Sequence, residues 1–176
     1  MQESDEKVKN AAASALERLE IRAKLDMIGK MLAEGQKMDK LRGVYALANL
    51  RGPKVVELLV KAAKDDIEDV RASAIRALGS IADKAALHDL VEALKDESVI
   101  VERVVIETLS RFREPQLVGP LIHMLKSKDP GVIERALEVL ASFADKRAEE
   151  AMMFFAAKGN STMKCAAVRA LGMMEP

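Results

Sequence analysis

Three side chains in this 176-residue chain have chemistry to offer: His88, His123 and Cys165. A metal centre needs several His, Cys or carboxylate groups converging on one point. Two histidines 35 positions apart, with no cysteine pair beside them, do not form such a set. Both are expected to face solvent, and no metal or cofactor is expected. A thiol needs an adjacent base to act as a nucleophile, so Cys165 is expected to be an inert exposed thiol. The chain has no Gly-rich phosphate loop, no G-x-S-x-G and no Walker lysine. These absences point away from catalysis and toward binding. Met and aromatic side chains are the ones enriched at interface cores, and they gather in AMMFFAA at 151–157.

What positions these residues is a repeat. Stepping by 31 residues from Leu78 meets Leu16, Leu47, Leu109, Leu140 and Leu171, a leucine every time. The residue before each is Ala15, Ala46, Ala77, Thr108, Val139 or Ala170. Four before each leucine stand Ala12, Gly43, Ala74, Val105, Ala136 and Ala167. A fixed period of this length marks a solenoid of helix pairs. One pair cannot cover its own apolar stripe, whereas stacked pairs bury theirs in a continuous core. Small residues let helix axes approach to roughly 8–10 Å, and leucine fills the layer between. In the same register Cys165 corresponds to Ala72, Arg103 and Glu134, an outward position on the first helix of a pair.

Val70-Arg71, Ala74 and Ala77-Leu78-Gly79 resemble the VR-x-x-A-x-x-AL-G pattern of HEAT-like repeats of the phycobilisome-lyase type. Asp83, Ala86-Leu87, Leu90-Val91, Leu94 and Asp96 resemble the second half of that unit. Val8-Lys9, Ala12, Ala15-Leu16, Ala167 and Ala170-Leu171-Gly172 match its first half near the two ends. The resemblance implies an all-α fold, an α-solenoid winding as a right-handed superhelix of about 11–12 helices. It also implies that such arrays can help attach or detach a tetrapyrrole on a partner protein. HEAT-repeat hydroxylases that bind iron share the fold but need paired His-Glu motifs, which are absent here. The position of Arg71 becomes Glu102 and Ile133 in the next two units, so an Asp–Arg ladder is not expected to run the whole length.

Composition sets the remaining bounds. Hydrophobic residues make up 49% and aromatics 3%, which suits closely stacked Ala/Leu-rich helices better than a sandwich or barrel. Lys+Arg and Asp+Glu are both 28, so no net basic field argues for nucleic acid. Asp89, Glu92 and Glu150, at surface positions of the second helices, also oppose it. A single cysteine excludes an intrachain disulfide, no apolar run reaches the length of a membrane span, and the polar N-terminus is not a secretory signal. A cytoplasmic location is expected.

In chain order, one array is expected over 1–176. Its units are about 1–35, 36–65, 66–96, 97–128 and 129–159, with 160–176 incomplete. Asp5 is expected to cap the first helix, and Ile21-Arg22 lacks the Gly or Pro of a turn. Residues 6–33 are thus open to either one helix or two. Gly52-Pro53 and Glu114-Pro115 take turn positions, Asp65 or Asp66 and Asp83 are expected to cap helices, and Pro120 falls inside a helix at the cost of a backbone bond or a bend. The last helix lacks a second member of its pair. Its apolar Val168, Leu171 and Met174 are not all expected to be covered by the preceding unit, so either the chain is a piece of a longer protein or this end packs on another surface, self-association included.

In HEAT-like arrays the second helices line the concave side. Two of their rows are expected to avoid the core: Lys61, Glu92, His123, Phe154 and Ala62, Ala93, Met124, Phe155. Both turn large and apolar toward the C-terminus, as interaction patches do. The expectation is a non-catalytic scaffold binding another protein through His123, Met124, Phe154 and Phe155.

Overall fold

The computed structural model describes residues 2–174, with side chains from Glu6 onward except that of Val8. The described residues are helical throughout, in ten α-helices and three short 3-10 turns. The first helix, α1 (Gln2–Glu34), is continuous. Ala, Leu, Glu, Lys and Arg are all good helix formers, and nothing at Ile21-Arg22 interrupts them. The two-helix alternative is therefore set aside, and the helix count falls below the 11–12 expected. The helix already runs through Asp5, and the cap expected from its side chain lies outside the described residues. The helix ends at Gly35, whose N–H bonds back to the Met31 carbonyl at 3.0 Å.

From there the pairs follow one plan. The first members are α2 (Lys37–Ala48), α4 (Glu68–Ile81), α6 (Val99–Leu109), α8 (Pro130–Ala141) and α10 (Ser161–Met174), each packed on the one before. The second members are α3 (Pro53–Ala62), α5 (Leu87–Glu92), α7 (Val118–Met124) and α9 (Lys146–Lys158). Helices α5 and α7 are short because 3-10 turns take over at 84–86, 93–95 and 115–117. Starting α7 at Val118 puts Pro120 in the first turn, where backbone N–H groups lack intrahelical partners anyway.

Leu47, Leu78, Leu109 and Leu140 are all essentially inaccessible to solvent. Gly79 marks a close crossing: a Cβ added there would lie 2.7 Å from Thr108 Cγ2 on the next first helix. At the ends the same register positions lose their cover. Leu16 is 61% exposed, against the burial its place in the series implied, because the straight α1 carries it beyond any neighbour. Val168, in register with the buried Ile75, Ile106 and Leu137, is 60% exposed, while Leu171 and Met174 are partly covered.

Three of the four turns between pair members pass through one left-handed residue, at Ala82, Arg113 and Ala144, again 31 apart, while the turn into α3 uses Gly52 at φ 128° instead. Asp83 and Asp145 follow and cap the second helix by accepting from Ala85 N and Arg147 N, both at 2.9 Å. Asp129 caps α8 through Val132 N at 2.8 Å, with Pro130 in the first helical position. The cap expected at Asp65 or Asp66 is displaced: Asp65 Oδ1 accepts from Ile67 N at 3.0 Å, one step before α4 begins.

Candidate partner-binding site

Successive units are tied at their edges by a charged rung. Lys40 on α2 reaches Asp65 with Nζ–Oδ2 at 2.6 Å, and both side chains are largely buried. One period later, Arg71 on α4 holds Asp96 with two bonds, Nε–Oδ2 at 2.8 Å and Nη2–Oδ1 at 2.9 Å. Arg71 also donates to the carbonyls of Asp65 and Asp66. A buried guanidinium satisfied this fully rigidifies its surroundings.

The third rung is inverted. Glu102 on α6 stands where the cation stood, and Ser127 stands where the carboxylate stood. The turn itself is kept, because Ser127 Oγ accepts from Asp129 N at 3.2 Å just as Asp96 accepts from Ser98 N at 2.9 Å. Burial holds the Glu102 carboxyl above its ordinary pKa, with Asp129 and Asp96 adding to the effect. Those two acids are themselves bound to Arg103 and Arg71.

A groove of about 520 Å³ opens at this rung, between the end of α5 and α7. Val91, Leu94, Pro120 and Met124 give it an apolar floor. Glu102, Ser127 and His123 line its wall, and Lys95 and Lys126 stand at its rim. Lys95 is itself bonded to Glu92 at 3.3 Å.

The four residues singled out from the sequence divide here. His123 is exposed and Met124 is 6% exposed, and both line the groove. Phe154 is 61% exposed on α9, the neighbour of α7, and does not line it. Phe155 is partly buried, with its ring edge-to-face on Phe154 at 5.5 Å. The row Lys61, Glu92, His123, Phe154 faces outward along its length. The row Ala62, Ala93, Met124, Phe155 does not: Ala62 and Met124 are buried, Ala93 and Phe155 half so. That row turns toward the first helices on the full-length α3 as well as on the shortened α7. Sequence reasoning missed the groove, although Glu102 in the place of Arg71 was a visible sign of it.

Of the residues considered for chemistry, His88, His123 and Cys165 are all exposed. No group of His, Cys, Asp or Glu among the described residues is arranged to hold a metal ion. No described helix is long and apolar enough to cross a membrane.

A family model described as HEAT repeats matches residues 25–110 and 56–133, which together span more than half of the chain. The chain belongs to the HEAT-repeat family. Among solved structures, this HEAT array is similar to the complex of CpcE and CpcF of phycocyanin lyase from Nostoc sp., with TM-score 0.68 and 19% identity. That match covers 85% of this chain and 64% of the neighbour, so the array spans less than two thirds of that protein's length. A designed armadillo repeat protein in complex with the peptide (KR)4 gives TM-score 0.59 at 22% identity, covering 90% of this chain and 85% of that one. An engineered protein gives 0.61 at 22% identity, covering 92% and 83%. At these identities the likeness is one of fold. No curated protein matches the sequence.

Proposed function

We propose that this HEAT array is a non-catalytic scaffold that binds a segment of another protein along the concave side lined by its second helices. The groove at the third rung is the anchor, and Phe154 on the next helix is a second contact. The observation that carries this reading is the groove itself: an apolar floor opens where the two preceding rungs are closed by charge pairs. A preformed opening on stacked helices binds with little ordering cost on the scaffold side. The designed armadillo repeat protein of similar fold is in complex with a peptide, (KR)4, which supports this reading.

The test is selection from a displayed library of random short peptides. Selected peptides are then mapped on the isotope-labelled chain by NMR. The expected result is amide shifts centred on Val91–Glu102 and Pro120–Ser127, reaching Phe154. Shifts confined elsewhere, or no enrichment at all, contradict the reading.

A second reading draws on the likeness to phycocyanin lyase: an accessory role in handling an open-chain tetrapyrrole on a partner protein. Mixing the purified chain with such a bilin and following its absorption separates the two. A shifted spectrum supports the accessory role, and an unchanged one removes it.

A further inference from the structure

Resting on the groove reading, the rungs say what enters. We propose that the groove takes a Lys or Arg side chain of the partner segment, whose cation pairs with Glu102 while a neighbouring apolar side chain covers Leu94 and Met124.

The argument is the inversion of charge at one register position. In two rungs the chain supplies its own cation from the first helix, Lys40 to Asp65 and Arg71 to Asp96, each across 25 residues. At the third the same register positions hold an acid, Glu102, and a hydroxyl, Ser127, while the cation and its carboxylate have moved on to Arg103 and Asp129, paired at 2.7 Å. Glu102 has no hydrogen bond or ion pair among the described residues. Its nearest electrostatic influences are like charges, Asp129 and Asp96, each already held by an arginine. The carboxylate is thus partly desolvated, unpaired and directed into an opening with an apolar floor. An incoming cation gains an ion pair and removes the penalty on that acid. Lys and Arg also carry apolar stems that lie along such a floor while the charge reaches its partner.

The groove's own cations do not fill this role. Lys95 is bonded to Glu92 and its side chain is 72% exposed. Lys126 is exposed at the rim. They discriminate against a run of consecutive basic residues and favour one basic residue beside apolar ones.

The experiment uses the full chain and the selected peptides. Enriched sequences are expected to share one Lys or Arg flanked by Leu, Met or Phe. Replacing that basic residue by Gln, or Glu102→Gln in the chain, is expected to weaken binding about tenfold, with the two changes together no worse than either alone. Glu102→Lys should abolish binding of the basic peptides and select acidic ones in their place. Lys126→Glu should leave binding intact or tighten it. Circular dichroism and thermal melting confirm that each variant is folded. Groove-mapped peptides without a basic residue, or unchanged affinity in Glu102→Gln, overturn this inference and leave the groove reading standing. Absence of any groove-mapped peptide overturns both.

Discussion

The second and third rungs share a backbone and differ in charge. Arg71 and Asp96 pair across the seam between their units, whereas at the next seam Glu102 and Ser127 do not, and the bridge is made instead by Arg103 and Asp129 beside an open groove. The apolar layer beneath is the same in both, with Leu78 and Leu109 equally buried. The comparison teaches that stacking in this array rests on the leucine layer. The charge rung is an addition at the edge, so one rung can be given up to form an opening without loss of the fold.

Predictions follow from pressing on that difference. The largest effect belongs to what the two seams share. Leu78→Ala and Leu109→Ala are each expected to cost about 2–5 kcal/mol in urea unfolding, by similar amounts. A loss at one seam only would break the comparison. Next comes the rung itself. Arg71→Ala strands the largely buried Asp96 and two carbonyls and is expected to cost about 1–3 kcal/mol, while Glu102→Ala is expected to leave stability unchanged or higher.

Glycine provides a finer contrast between a covered and an uncovered first helix. Gly79 and Gly172 are three periods apart, yet a Cβ at Gly79 meets Thr108 and one at Gly172 meets open space. Gly79→Ala should destabilise. Gly172→Ala should stabilise by up to about 1 kcal/mol, the ordinary helical preference for alanine. Thermal melts of the two variants shifting the same way would contradict the packing described.

The smallest effect is a pH dependence. Burial and two acids raise the folded pKa of Glu102, so the folded chain holds that proton more tightly than the unfolded one. Stability from this group is therefore present below the unfolded value and lost as pH rises through the folded one. Glu102→Gln should match wild type in acid and exceed it by about 0.5 kcal/mol at neutral pH, a figure reduced for solvent screening.

The architecture was legible because its signal is repetition. Leucines at one spacing with small residues beside them read as seams, and four of those leucines are buried as that reading requires. Leu16 read the same and is exposed, since burial depends on a neighbour that the straight α1 does not bring. The left-handed turns at Ala82, Arg113 and Ala144 were invisible, because none carries the glycine that usually signals them. Of the four candidates, His123 and Phe154 are exposed as their row implied. The side Met124 faces was misread, because Ala62 at the same register position is small enough to pass for surface, yet it is buried too. Glu102 was legible only as a departure from a pattern. Its meaning required seeing that Ser127 had changed with it.

The most direct measurement rebuilds the missing rung. In a double-mutant cycle of Glu102→Arg and Ser127→Asp, the two changes together should be more stable than the sum of the singles by at least about 0.5 kcal/mol. The rebuilt rung should also close the groove to the selected peptides. A coupling near zero, or peptide binding that survives in the double variant, would contradict the claim that the third rung is a seam left open.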